Sequence, residues 1–225
     1  MFLTELKNFS RDNWWIYILF IIALSVVYIT GKGNIVELIA LFFANFVGNL
    51  LIMIMQSNYT MKKFKIGALC HISAVTTFTI IAMYGFFMND QSQYLLWQVT
   101  YIGAALKAFT YYNFKKDLSI LNEKTFIFIN IILYVLFMKY FQFETFHLIQ
   151  ALGFSLITTG LVSIKDNIRY WLNVIGIFLL SGGSLLGVVT SYMSGNIDGI
   201  ALGYFILTLT VFVYYIKLLP KYLKK

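Results

Sequence analysis

Charge is scarce in this sequence: Asp, Glu, Lys and Arg together make up 12% of 225 residues, half of the roughly 25% usual in soluble domains. Proline and cysteine occur once each. With Cys70 alone, neither an intramolecular disulfide nor a redox pair can form. His71 and His147 fall in different segments with no metal-ligand spacing around them. There is no phosphate-cradling glycine loop and no nucleophile elbow. These absences argue against ATP hydrolysis by this chain alone and leave no expected catalytic residue, cofactor or metal. Long polar stretches are missing too, and with them any soluble domain or folded basic surface for nucleic acid.

What is present is apolar. Hydrophobic residues make up 60% and aromatics 19%, and the mean hydropathy is +0.79. Runs of about 20 such residues are long enough to cross a hydrocarbon core of roughly 30 Å. The expectation is an all-α integral membrane protein with eight transmembrane helices, at 14–31, 36–56, 66–87, 94–113, 125–141, 146–163, 170–192 and 199–217. Their continuous apolar character, without period-two alternation, speaks against a β-barrel. Lys7 and Arg11 precede the first run, but no small-residue cleavage site follows "IIALSVVYITG". That segment is therefore expected to stay as a helix rather than serve as a signal peptide.

Basic residues give the expected orientation. With the amino terminus inside and helices alternating, fourteen Lys and Arg residues fall in inner loops and ends, from Lys7 and Arg11 through Lys62, Lys63 and Lys65 to Lys224 and Lys225. Lys32 alone falls outside, and Lys107 and Lys139 lie within spans. The positive-inside rule then places both termini in the cytoplasm of a multi-pass protein of a cell membrane, bacterial inner or plasma. The net charge of +8 is thereby a topological signal.

The chain also repeats itself. Tyr101, Leu106, Phe109, Tyr111 and Tyr112 match Tyr204, Leu209, Phe212, Tyr214 and Tyr215 at identical spacing. Each set closes a three-helix group, and both groups run the same way only if one helix joins them. "TFIFINIILYVLFMKYF" supplies it. The expected organisation is a 3+1+3 parallel repeat, whose ligand site would lie between the halves. Residues 1–35 form a leading segment and extra helix, 36–117 the first repeat, 118–145 the linker, and 146–225 the second repeat with its basic tail. The alternative is chance similarity between apolar helices ending in aromatic and basic residues.

Particular stretches carry a further likeness. "VELIALFFANFVG", "LLWQVTYIGAA" with Gln98, "RYWLNVIGIF" with Trp171, and "LGYFILTLTVF" resemble core helices of the PnuC-type vitamin transporters. The resemblance implies a carrier for a vitamin-like nucleoside, nicotinamide riboside first, with thiamine or riboflavin as alternatives. "ALKAFTYYNF" stands where that family has a glycine–tryptophan ending, so the choice of vitamin stays open. A different class also stays open: a substrate-capture subunit of an ATP-driven importer, or a membrane-embedded enzyme. Expected partners are the small-molecule vitamin and the lipid bilayer; a homo-oligomer is left open.

Polar groups in hydrocarbon normally face other helices or a wet cavity. Asn45 and Asn49 share a helix face, as do Gln98 and Tyr101. With Trp171, Asn173 and Tyr204 they offer amides and flat rings, which suit a neutral aromatic ligand bearing hydroxyls. The competing role is helix packing, above all for the stripe Asn173, Gly176, Ser184, Gly187 and Ser191. Lys107 lies half a turn away from Gln98 and either snorkels to the inner interface or meets an anionic ligand group. All nine acids fall in loops or at span ends, which favours facilitated diffusion with trapping by a separate kinase over proton coupling.

Overall fold

The computed structural model describes residues 2–30, 119–140, 145–163, 165–197 and 199–223. Among these the chain is all-helical, with no strand. We number the helices α1 (Phe2–Asp12), α2 (Trp14–Thr30), α3 (Glu123–Tyr140), α4 (Thr145–Val162), α5 (Asp166–Met193) and α6 (Gly199–Leu223). Expected spans 36–56, 66–87 and 94–113 lie outside the described residues, as does the first copy of the repeat.

Two helices are long and apolar enough to cross a membrane, Asn167–Met193 at 27 residues and Ala201–Leu223 at 23. Trp14–Thr30 and Phe146–Gly160 are shorter and also apolar. Hydropathy locates these helices closely but misses where their ends extend. α5 starts at Asp166, four residues before the expected apolar edge at 170, because "DNIR" is polar yet continues the hydrogen-bonded spiral. α6 runs past 217 to Leu223 and carries Pro220 in its last turn, where the missing N–H leaves the Ile216 carbonyl without its i+4 donor. α1 has no counterpart among the apolar runs.

Helix ends have local causes. The Asn122 side chain accepts the Thr125 backbone N–H at 3.1 Å and so caps the start of α3. After α5 the Asn196 N–H donates to the Ser191 carbonyl and the Gly195 N–H to the Tyr192 carbonyl. This pairing needs a left-handed residue between them, and Gly195 supplies it at φ 81°.

The helices pack in the order α3, α4, α5, α6, α2, each antiparallel to the next. Contacts fix the directions: Phe126 of α3 meets Val162 of α4, Asn173 near the start of α5 faces Gly160 near the end of α4, and Tyr170 of α5 stacks on Tyr222 of α6. Asn13, just before α2, meets Lys217 of α6. At this end lie Lys7, Arg11, Lys124, Lys165, Arg169, Lys217 and Lys221; among the described residues only Lys139, in the last turn of α3, is placed towards the other.

The α4–α5 contact is the closest. Gly153 and Gly160 on α4, and Gly176 and Gly183 on α5, recur seven residues apart along one seam. A β-carbon added to Gly153 or to Gly176 would come within 2.7 Å of the other's carbonyl oxygen. At Gly183 it would reach the Phe146 carbonyl at 3.0 Å. Small residues let membrane helices approach to backbone contact, where dispersion and weak C–H···O contacts replace a hydrophobic drive. On the other side of α6, Gly199 and Gly203 make room for Thr30 and Val27 of α2. Ile16, Phe20 and Ala23 of α2 join Val174 and Ile177 of α5 and Leu207, Val211 and Tyr214 of α6 in one core.

Replacing Gly176 by Val should overpack this seam and lower stability by about 1–3 kcal/mol. A β-carbon on Gly182 would meet no atom within 4 Å, so Gly182→Ala should be neutral or stabilise by up to about 1 kcal/mol. Denaturant unfolding of the two variants in detergent separates close approach from a general intolerance of α5.

Candidate functional site

Of the candidate binding residues, Asn45, Asn49, Gln98, Tyr101 and Lys107 lie outside the described residues. The remaining three separate by depth and face. Trp171 is on α5 at the basic end, partly exposed at its outer surface, and meets Tyr170 edge-on at 5.4 Å. Asn173, two residues on and therefore on the opposite side of the helix, is 1% exposed. Tyr204 is on α6, eleven residues before the tyrosine that Asn173 touches, or about 16 Å along the axis. Asn173 and Tyr204 therefore do not share a site within this bundle.

Around Asn173 an aromatic and amide cluster closes the basic end between α5 and α6. Its Nδ2 donates to the Tyr215 hydroxyl at 3.5 Å, a long contact. Tyr170 donates its hydroxyl to the Tyr215 carbonyl at 2.7 Å and stacks on Tyr222, ring centroids 3.9 Å apart and planes 8° from parallel. Tyr215, Tyr214 and Tyr170 are fully buried. The Asn173 Oδ1 has no hydrogen-bond partner among the described residues and lies over Gly160, where a β-carbon would meet it at 2.8 Å.

A second polar centre is not among the residues that sequence singles out. Asn130 sits mid-way along α3, 4% exposed. Its Nδ2 lies 3.2 Å from the Ser155 carbonyl and from the Thr158 and Thr159 hydroxyl oxygens. Those hydroxyls donate back to the α4 carbonyls of Phe154 and Ser155, leaving their lone pairs to accept. A signal for it exists: Asn130 is the one amide in "TFIFINIILYVLF", and a lone polar group in such a run needs a partner. Further along α4, Gln150 donates to the Ser184 hydroxyl at 3.2 Å. The stripe on α5 accordingly faces α4, with Gly176 against Gly153 and Gly187 against Phe146.

The two asparagines differ chemically. Both leave the side-chain oxygen without a hydrogen-bond partner among the described residues, but Asn130 uses its amide N–H groups to hold α3 against α4, while the Asn173 amide makes one long contact. A buried acceptor without a partner costs about 1–3 kcal/mol, a cost a ligand hydroxyl could relieve. No group of three or more His, Cys, Asp or Glu side chains converges among the described residues.

Asn130→Ala should destabilise the chain by about 1 kcal/mol, the usual scale for hydrogen bonds between membrane helices. Asn173→Ala should cost less, since the Asn173 Nδ2 makes one long contact where that of Asn130 reaches three acceptors on α4. Unfolding midpoints of the two variants decide this, and equal losses would make Asn173 an equally structural residue.

No family model, no curated protein and no solved structure matches this chain.

Proposed function

We propose that the chain is a multi-pass membrane carrier for a neutral vitamin-like nucleoside, nicotinamide riboside before thiamine or riboflavin. The observation that carries the membrane part is that large apolar side chains lie on the outside of the helices while polar side chains are buried between them. Ile127, Phe128, Ile131, Ile132 and Val135 of α3, and Ile175, Phe178, Leu185, Leu186 and Val189 of α5, are exposed. Asn130, Ser155, Thr158, Thr159, Asn173, Ser181, Ser184, Thr208 and Thr210 are buried. In water this arrangement would expose large apolar surface at high cost; in lipid it is the favourable one.

Two features support an alternating topology. Consecutive packed helices are antiparallel with basic residues gathered at one end, as the positive-inside rule requires. Trp14 and Trp171 are exposed at that end, and Tyr28 and Tyr192 towards the other. Along α5, Trp171 and Tyr192 are about 31 Å apart, close to the roughly 30 Å of a hydrocarbon core. The vitamin reading rests on the sequence resemblance, and Asn173 supports it as a buried amide the fold uses little. Transport is facilitated diffusion, and a separate kinase phosphorylates the vitamin and prevents its return.

Purified protein in liposomes, without kinase, should equilibrate labelled nicotinamide riboside to equal concentrations whatever proton or sodium gradient is imposed. Accumulation above equality would refute uncoupled transport, and its loss in Lys107→Met would assign the coupling to that residue. Uptake that requires an added ATPase would make the chain a capture subunit. In a Cys70→Ser background, Asn196→Cys should react with an impermeant thiol reagent in sealed cells and Lys165→Cys should not; the reverse pattern overturns the orientation.

A further inference from the structure

The amino-terminal helix and the end of α6 are far apart in sequence, yet they form one basic platform. Lys217 Nζ donates to Asn13 Oδ1 at 2.8 Å and to the Asp12 carbonyl at 3.2 Å. A cation at the last carbonyls of a helix suits its dipole, so Lys217 ties the end of α1 to α6. Asn13 in turn donates from Nδ2 to the Phe9 carbonyl at 3.0 Å.

These contacts fix how α1 lies. Asn13 is level with Lys217, so a straight continuation of α2 would carry Phe9 about 6 Å further out, to the level of Lys221. Phe9 instead is buried, its ring centroid 5.7 Å from that of Tyr214, about one turn in the opposite direction. The chain therefore turns at Asn13, and α1 lies across the end of the bundle. Its other face carries Thr4, Lys7, Asn8 and Arg11 at helical spacing, all exposed. Trp14, 63% exposed, stands where α1 meets α2, a position indoles favour at a membrane–water interface.

We propose that α1 and the end of α6 together form a docking surface for anionic phospholipid headgroups. This rests on the membrane reading above. The charges within α1 balance, Lys7 and Arg11 against Glu5 and Asp12. The surplus comes from α6, with Lys217 and Lys221, and the sequence adds Lys224 and Lys225 directly after it. An amphipathic helix with its buried face on the protein and its basic face outward lies in the headgroup plane, and clustered Lys and Arg there attract acidic lipid. Arg11 pairs through Nε with Asp12 at 3.1 Å while its side chain is 74% exposed, and a guanidinium carries further donors for a phosphate.

The test uses the full chain in non-ionic detergent, titrated with phosphatidylglycerol or with phosphatidylcholine. Phosphatidylglycerol should raise the thermal midpoint and slow hydrogen exchange in α1; phosphatidylcholine should do neither. In the triple variant Lys7→Gln, Arg11→Gln, Lys221→Gln, each lost charge should weaken the apparent affinity about fivefold, equivalent to about 1 kcal/mol apiece near an acidic surface. Salt at about 1 M, with a screening length of ~3 Å, should abolish the effect. Lys124→Gln, on α3 at the far side of the row, should change little. The same response to both lipids, or an equal loss per charge in Lys124→Gln, overturns the proposal, as does protection that follows protein concentration without lipid and so reports a second copy of the chain. Alkaline extraction of native membranes keeps the two readings apart. Release of the chain sinks the membrane reading itself, whereas retention with no preference for acidic lipid sinks only the docking surface.

Discussion

Backbone-to-backbone approach between α4 and α5 is the constraint on which the described bundle depends. Gly153 and Gly176 meet with no side chain between them, and the seven-residue repeat of glycine keeps the two helices in register from Phe146–Gly183 to Gly160–Asn173. Side chains elsewhere fall into place around that axis. α3 docks on the flank of α4 through Asn130, and α6 docks on α5 through its tyrosines. α2 then reaches α6 through a second small-residue contact at Gly199 and Gly203. Where apolar side chains face lipid, burying them against another helix gains little, so fit and hydrogen bonding must hold the helices together.

The buried polar residues divide on the same principle. Ser155, Thr158, Ser184, Thr208 and Thr210 return their hydroxyls to carbonyls of their own helices. They meet their hydrogen-bonding needs locally and add small volume at contacts. Asn130 and Gln150 spend theirs between helices. Asn173 does neither well. Its Nδ2 makes one long contact, and its Oδ1, which lies over Gly160, has no hydrogen-bond partner among the described residues, as is true of the Asn130 oxygen.

The basic end combines three things that sequence distance separates. Tyr170 and Tyr222 close it from within, Lys217 ties α1 to α6, and the exposed tryptophans mark its level. The stacked tyrosines and the Tyr170 hydrogen bond to the Tyr215 carbonyl pack α5 against α6 at that end. The lipid surface proposed for α1 lies at the same end, where Lys217 joins α6 to Asp12 and Asn13.

Sequence alone determined the helical class, because long continuous apolar runs with little charge have few ways to satisfy their backbone in lipid. It located α2, α3, α4, α5 and α6 to within a few residues, except where polar turns extended them at Asp166 and Leu223. It also determined the clustering of basic residues, since loop charge is read directly from position. It missed α1, whose mixed polarity gives no long apolar run. It did not reveal the part Asn130 plays, since a single amide acquires meaning only when Ser155, Thr158 and Thr159 are brought opposite it. Tertiary structure alone decided that Trp171 and Asn173 face opposite ways and that Tyr204 lies far from both. It also decided that Asn13 and Lys217 meet, because which helix faces which depends on where glycines permit contact between distant segments.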